Sequence, residues 1–366
     1  MPPSLCRWGI LGTAQIARKN WQAIRNATNA TLVAVASRDR ARASKFIEEC
    51  QANVSFPIVP IPCGGYQELL QRNDIDAVYV PLPTGIRKEW VLRAADAGKH
   101  VLCEKPCGIH GADVQAMLEA CQRNRVQFMD GVMFMHSQRL ALLRRTLDDR
   151  ESVGTIVRIA SQFSFKGSEE FFVRNIRVRN DLEPLGCLGD LGWYNIRFSL
   201  WVLNDQLPER VTGRILAQQG SGKDGVPTEF SGELFFVGGA SASFYCSFRS
   251  ENHQWAYVNG DRGYVHLADF VLPFFGCEVA FEVNAPVFRV TGCAFNMEDH
   301  SRRLVVHEYS NGTANAQETR MIETFARIVT SGHLEPRWGE QALKTQRVLD
   351  ACLLSAREGG KCVAVA

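Results

Sequence analysis

The first things to note in this chain are absences. Its twelve cysteines, at 6, 50, 63, 103, 107, 121, 187, 246, 277, 293, 352 and 362, include no Cys-x-x-Cys pair. Zinc-binding thiolates come at short fixed spacings, so no metal site is expected. In a chain of 366 residues the cysteines read instead as small buried residues kept reduced, which suits a reducing compartment better than a disulfide framework does. No apolar run approaches the length of a membrane span, and the first strand starts too early to leave room for a signal segment. Cytosol is the expected address. No block of Lys or Arg stands out and the net charge is only +2, which offers no electrostatic footprint for nucleic acid or an anionic membrane. A small-molecule partner is expected. Internal repeats and low-complexity tracts are also missing, which excludes a solenoid or a disordered chain.

Apolar residues make up 46% and charged residues 22%, enough to bury a large core. Single cores stop growing near roughly 250 to 300 residues, so two domains are expected. Up to about residue 130, short apolar runs at 5–11, 31–36, 77–80, 100–103 and 126–129 alternate with helical spacing over 13–26, 38–50, 66–71, 89–97 and 111–123. This βαβα rhythm predicts a parallel sheet covered on both faces. Pro57, Pro60 and Pro62 blur the third unit. After Gly131 a helix over 139–148, a strand over 155–165, a polar loop over 166–184 and a helix over 190–203 lead into alternating strands. Two of these, 232–237 and 241–248, form a hairpin across Gly238-Gly239, because glycine accepts the positive φ of a tight turn. Helices over 318–330 and 341–357 close the chain. The expected fold class is α/β plus α+β. Residues 1–130 form a dinucleotide-binding domain, and 131–366 a substrate-binding domain on an open, mostly antiparallel sheet.

Gly9-Ile10-Leu11-Gly12-Thr13-Ala14-Gln15-Ile16-Ala17 lies where the first strand hands over to a helix. Gly12, Ala14 and Ala17 fill the three small-residue positions of a dinucleotide-binding turn, where backbone N–H groups must approach a pyrophosphate at the helix N-terminus. Alanine replaces glycine twice, and an ordinary tight βα turn fits the same composition. A second signal stands at the end of the second strand. An NAD enzyme places a carboxylate there for the ribose hydroxyls, whereas this chain has Ser37-Arg38, a hydroxyl and a guanidinium suited to a 2′-phosphate. The expectation is a Rossmann domain that prefers NADP(H), contacted by Gly9, Gly12, Thr13, Ala14, Gln15, Ile16, Ser37 and Arg38.

The strand over 100–103 ends in Cys103-Glu104-Lys105-Pro106, at the carboxyl edge where open α/β sheets bind ligands. Lys105 is expected beside the nicotinamide, between Glu104 and Pro106, the proline admitting a cis bond. Pro81-Leu82-Pro83-Thr84 forms a second cofactor wall. Read alone, Lys105 also fits a surface loop. Farther on, Gly186-Cys187-Leu188-Gly189-Asp190-Leu191-Gly192-Trp193-Tyr194 places Asp190 and Tyr194 four apart at a helix start, on one face. A dipole-stabilising Asp and a packed Tyr would look the same.

Taken together, the strand-end Glu-Lys-Pro and the later Gly-x-x-x-Asp-x-Gly-x-Tyr resemble the Gfo/Idh/MocA oxidoreductase family over essentially the whole chain. Within it the chain is most similar to dimeric dihydrodiol dehydrogenases, NADP-dependent xylose dehydrogenases and plant oxidoreductases of this type. The resemblance implies hydride transfer to or from a CH-OH/C=O carbon of a small polyol, sugar or diol, with Lys105, Asp190 and Tyr194 at the reacting centre. It also implies a homodimer paired through the uncovered face of the second sheet. Oxidising a carbinol requires the hydroxyl proton to leave. Tyr194 is the expected acid/base, and the Lys105 ammonium would favour the ionised form of a phenol whose ordinary pKa is about 10. Lys105 would polarise the carbonyl in reverse, while Asp190 would orient a second substrate hydroxyl or hold Lys105. Arg87 stands where many family members have histidine and faces either an anionic substrate or water. Met133, His136 and Arg139 occupy the family's substrate-pocket segment. Phe163, Phe165, Phe171 and Phe172 suit ring stacking or plain core. Two other readings remain open. One is a non-catalytic NADP-binding regulator, which needs no acid/base. The other is a relative doing imine or enone reduction or cofactor-recycling isomerisation.

Overall fold

The computed structural model describes residues 5–365. It divides into two compact units. One comprises the chain up to 136 with 179–184 and 311–346, and the other 137–178, 185–310 and the segment from 347 onward. A single boundary at 130/131 is therefore corrected. Two later segments return to the first unit, and the packing of each explains why.

The first unit holds a six-stranded sheet of β1 (Cys6–Leu11), β2 (Ala30–Ala36), β3 (Ile61–Cys63), β4 (Ala77–Val80), β5 (His100–Cys103) and β6 (Phe128–Asp130). All pairings are parallel, in the order β3-β2-β1-β4-β5-β6. Helices α1 (Gln15–Asn26), α2 (Arg40–Asn53), α3 (Tyr66–Leu70), α4 (Thr84–Asp96) and α5 (Gly111–Arg123) connect them. Because both faces are covered, β4 is buried along its whole length. The proline-crowded third strand survives as three residues at the sheet edge, where a missing N–H is tolerated.

Helix α4 begins five residues before the predicted 89–97. Thr84-Gly85-Ile86 carries no apolar spacing, so its helical turn depends on groups from elsewhere. The Thr84 N–H donates to Glu183 Oε1 at 3.0 Å and the Gly85 N–H to the Leu182 carbonyl at 2.9 Å. A carboxylate there caps orphan donors and suits the helix dipole. A Cβ on Gly85 would lie 2.5 Å from the Asp181 carbonyl oxygen, so only glycine admits this segment. That contact draws 179–184 into the first unit.

The second unit carries α6 (Gln138–Asp148), β7 (Ile156–Ser164), α7 (Glu169–Arg174) and α8 (Trp193–Val202). There follow β8 (Arg210–Gln219), β9 (Val226–Phe235), β10 (Ser241–Ser247), β11 (His253–Gly260), β12 (Tyr264–Leu267), β13 (Glu278–Asn284), β14 (Val287–Thr291), β15 (Ala294–Glu298) and β16 (Ser301–His307). With the terminal β17 (Val363–Ala364), the sheet order is β16-β13-β12-β11-β7-β10-β9-β8-β17, while β14 and β15 pair apart. Every pairing is antiparallel except β7 with β10. The β9–β10 hairpin turns at Gly238 and Gly239, with φ of 86° and 90°. Helix α7 forms inside the predicted polar loop, started by Ser168, whose side chain accepts from the Phe171 N–H.

Helix α9 (Gln317–Ser331) rejoins the first unit, and α10 (Arg337–Arg357) begins there. Met321, Ile322, Phe325, Ala326 and Ile328 form a buried stripe on α9, and the Phe325 ring sits 5.0 Å from that of Trp8 on β1. The first unit cannot close its core without a segment nearly 200 positions downstream of the predicted boundary, which sequence periodicity does not reveal. All twelve cysteines are free. Nine are buried, and Cys277, Cys293 and Cys362 are exposed, against the expectation of uniform burial. Among the described residues no helix is long and apolar enough to cross a membrane. Phe325→Ala should destabilise the protein by about 3–5 kcal/mol, the cost of a large aromatic deletion from a core. Denaturant unfolding checks this, and a loss under about 1 kcal/mol would place α9 outside that core.

Candidate active site

The dinucleotide turn closes as its small residues require. Gly12 has a φ of +117°, and a Cβ there would meet Leu82 Cδ2 at 3.1 Å. Its N–H donates to the Ala36 carbonyl at 2.8 Å, tying the turn to the end of β2. Gly9 is close-packed under Leu69, 2.6 Å from a virtual Cβ. Ala14 is the N-cap of α1 and supplies no side-chain oxygen; the Ala17 N–H donates to the Ala14 carbonyl at 2.9 Å, which leaves the earlier N–H groups of the turn to an anion. Thr13 and Ala14 are half-buried, while Gln15 and Ile16 are exposed. This backbone cradle fits a pyrophosphate.

Ser37 is buried at the end of β2 and its N–H donates to the Cys63 carbonyl. Arg38 is exposed and lies before α2 rather than inside it, because Asp39 caps that helix by accepting from the Arg42 N–H at 2.8 Å. Arg42, missed in the sequence reading, shares the patch with Arg38. Burial pushes the Tyr66 phenol up, and the charges of both arginines oppose that shift. Neither guanidinium has a carboxylate partner among the described residues, whereas Arg40 pairs with Glu68 at 2.6 Å. Two unpaired cations beside a serine fit a ribose 2′-phosphate.

Lys105 is half-buried on the turn after β5, and the Lys105–Pro106 peptide is cis. Glu104 holds this turn from below. Its Oε1 accepts from Tyr79 Oη at 2.5 Å and its Oε2 from the Lys105 N–H at 3.2 Å, while Asn20 Nδ2 donates to the same phenol at 2.8 Å. Burial and then the Glu104 carboxylate push the Tyr79 phenol well above its ordinary pKa, so it stays a donor. Tyr79 and Asn20 were passed over as strand and helix interior. The signal was a tyrosine inside an otherwise apolar strand, which needs a partner for its hydroxyl. Pro81 and Leu82 are buried and Pro83 half-buried. Thr84 donates its hydroxyl to Glu183 Oε2 at 2.5 Å.

Arg87 was expected to face an anionic substrate or water, and Met133, His136 and Arg139 either to line the substrate pocket or to play a plain structural role. Arg87 is instead buried at 3% exposure, with its donors turned inward. Met133 is buried, and the His136 ring stacks on Trp338 at 4.7 Å within the first unit. Arg139 is 1% exposed, pairs with Asp269 and donates to the Asp269 and Ala280 carbonyls at 2.8 and 3.1 Å. A buried cation must be matched by nearby acceptors, and Arg139 finds them inside its own scaffold.

Asp190 and Tyr194 belong to the second unit. The predicted helix is entered through a wide π turn over Leu188–Gly192, and regular α geometry begins at Trp193. Gly192 permits this, since a Cβ there would lie 2.9 Å from Leu188 Cδ1 and 3.3 Å from Cys246 Sγ. Such turns recur at functional sites. Asp190 Oδ2 pairs with Arg177 Nε at 2.8 Å, a partner the sequence did not suggest. Tyr194 is 5% exposed, 5.6 Å from the ring of Phe163. Phe165, Phe171 and Phe248 pack mutually at 5.0–5.4 Å, with Phe172 beside Phe171. Those rings mainly face one another. Among the described residues no group of His, Cys, Asp or Glu is arranged to hold a metal ion.

Residues 6–132 match the model of an oxidoreductase family with an NAD-binding Rossmann fold, and 142–280 match the GFO/IDH/MocA C-terminal domain. D-xylose 1-dehydrogenase (NADP(+)) 2 of Haloferax volcanii is 31% identical over 360 residues, covering 96% of this chain and 98% of that protein. Trans-1,2-dihydrobenzene-1,2-diol dehydrogenase of Mus musculus is 28% identical over 73% of this chain and 76% of its own. In fold, the chain is similar to a 3-ketoreductase from Actinomadura kijaniata, with a TM-score of 0.80 and 24% identity over 96% of this chain and 98% of that one. With both halves matched in order and a full-length relative above 30% identity, the chain belongs to the Gfo/Idh/MocA family of oxidoreductases.

Proposed function

We propose that this protein is an NADP(H)-dependent dehydrogenase or reductase that transfers a hydride to or from the CH-OH/C=O carbon of a small sugar, polyol or diol. The observation that carries the reading is the presence of Lys105, Asp190 and Tyr194 in the two family motifs, in a chain whose dinucleotide turn is closed and whose Arg38 and Arg42 have no carboxylate partner among the described residues. A regulator that only binds nucleotide needs no acid/base. The names of the Haloferax and mouse relatives describe dehydrogenases of a sugar and of a diol, which favours the branch of xylose and dihydrodiol dehydrogenases.

Bound NADP(H) supplies or accepts the hydride. The remaining work falls to side chains. In the oxidative direction Tyr194 Oη takes the substrate hydroxyl proton, and in the reductive direction it returns that proton to the carbonyl oxygen. Lys105 Nζ, on the turn after β5, is assigned the donor that polarises a substrate carbonyl. Asp190, held by Arg177, accepts from a second substrate hydroxyl. Burial of Tyr194 keeps bulk water from competing for the proton.

A homodimer is the proposed assembly. On β11 and β12, Ala256, Val258, Val265 and Leu267 are buried, while Trp255, Tyr257, Tyr264 and His266 alternate with them on the opposite face and are half-exposed. Tyr257 stacks on His266 at 4.4 Å and meets Trp255 at 5.4 Å. A half-exposed aromatic sheet face suits a second copy. A reducing compartment such as the cytosol is the proposed location, supported by the twelve unbridged thiols.

Three outcomes test these statements. Tyr194→Phe should lower turnover against a panel of aldoses, vicinal diols and dicarbonyls by roughly a hundredfold or more, with NADPH affinity unchanged. Weakened cofactor binding with intact turnover would contradict the assignment. Arg38→Ala should weaken NADPH by roughly 10- to 100-fold while barely touching NADH, as loss of a charge-assisted contact to the 2′-phosphate requires. Equal effects in the two titrations would remove the cofactor argument. Tyr257→Glu should shift the sedimenting species from dimer to monomer, and an unchanged dimer would place the interface elsewhere.

A further inference from the structure

Arg87 is a buried cation that the mechanism above leaves without a role. It sits in the first turn of α4. Its Nε donates to the Leu82 carbonyl at 2.9 Å, and Nη2 donates to that same oxygen. Nη1 donates to the Pro106 carbonyl and, at 3.1 Å, to Thr84 Oγ1, whose hydroxyl passes on to Glu183. No carboxylate among the described residues pairs with the guanidinium directly. Its charge is met by main-chain carbonyls and, one hydroxyl away, by Glu183.

Burying a cation is costly unless its donors are matched, and an apolar side chain would fill the space without that cost. A guanidinium does something an apolar group cannot. It is a rigid planar fork, so the acceptors it binds are held at a fixed spacing. Here those acceptors come from two separate turns. Leu82 belongs to the wall after β4, and Pro106 directly follows Lys105 on the turn after β5. Glu104 holds the second turn from its other side, through its bond to the Lys105 N–H. The Glu104 bond thus anchors the N–H of Lys105 and the Arg87 bond the carbonyl of the next residue, Pro106.

We infer that Arg87 is a positioning residue whose guanidinium sets the spacing of the two turns flanking the nicotinamide end of the dinucleotide, and with it the placement of Lys105. The inference rests on the cofactor reading above and deepens it. It also reverses the sequence-based role of Arg87, since a guanidinium with its donors spent on the scaffold does not recognise an anionic substrate. Arg38 and Arg42, at the end of β2, serve the other end of the cofactor. The two ends of one ligand are thus governed by different arginines, and a fragment of that ligand separates them.

The test is a pair of titrations on the full chain, with NADPH and with 2′,5′-ADP, which keeps the adenine end and its phosphate but lacks nicotinamide. For Arg87→Lys and Arg87→Gln, NADPH affinity should fall by roughly tenfold or more, with 2′,5′-ADP affinity within about twofold of the unaltered protein. Lysine should not rescue, because a single ammonium cannot span the three acceptors. Thr84→Val, which removes only the hydroxyl relay, should show the same split at smaller size and serves if the Arg87 variants do not fold. Unfolding midpoints are measured alongside. Equal losses for both ligands would reveal a general structural role and overturn the inference, as would unchanged NADPH binding in a folded variant. Because the readout is binding, an inactive parent protein would count against the proposed reaction and not against this assignment.

Discussion

The reversal of strand order between β1 and β4 is the constraint on which the first unit's site depends. Parallel strands joined by right-handed crossovers must send their helices to opposite faces once the order reverses, and the turns at the carboxyl ends of β1 and β4 then part to leave a crevice. The order β2-β1-β4-β5 lays the binding segments along that edge in a fixed sequence. Ser37-Arg38 follows β2, the Gly12 turn follows β1, residues 81–84 follow β4 and Lys105 follows β5. On the reading proposed above, the ordering of phosphate recognition at one end and the reacting end at the other follows from topology. The side chains refine distances that the sheet has already set.

That refinement is carried by buried polar groups, and each is matched by partners from elements distant in sequence. Tyr79 joins β4 to Asn20 on α1 and to Glu104 beyond β5. Glu183 caps α4 from a segment about a hundred residues away. In the second unit Arg139 binds Asp269 and the Ala280 carbonyl. Such groups add little net stability, since burial costs about what the bonds return. They do penalise any arrangement in which a partner is displaced. This is how a turn without regular secondary structure can hold a lysine in one place.

Much of the fold was legible because hydrophobic period and turn chemistry are local. The strands at 77–80 and 100–103, the helix at 111–123 and the Gly238-Gly239 hairpin stand where the sequence puts them. The small residues of the Gly12 turn and the lone tyrosine after Gly192 mark the candidate site just as locally. What the sequence hid was non-local. Nothing near Thr84 announces that its cap is Glu183, and nothing near Phe325 announces Trp8. The roles of Arg87 and Arg139 were left open for the same reason. An arginine's role depends on which acceptors surround it, and those acceptors are set by the tertiary fold.

Within each unit the candidate residues are held by different kinds of contact. In the first unit Glu104, Tyr79, Thr84 and Arg87 are all buried and bonded in pairs, Tyr79 to Glu104 and Arg87 to Thr84. Altering one strands another, so that set resists change. In the second unit Asp190 pairs with Arg177, whose side chain is 44% exposed and lies in a short segment between α7 and the π turn. An ion pair with one partner in solvent contributes little and can be exchanged at small cost.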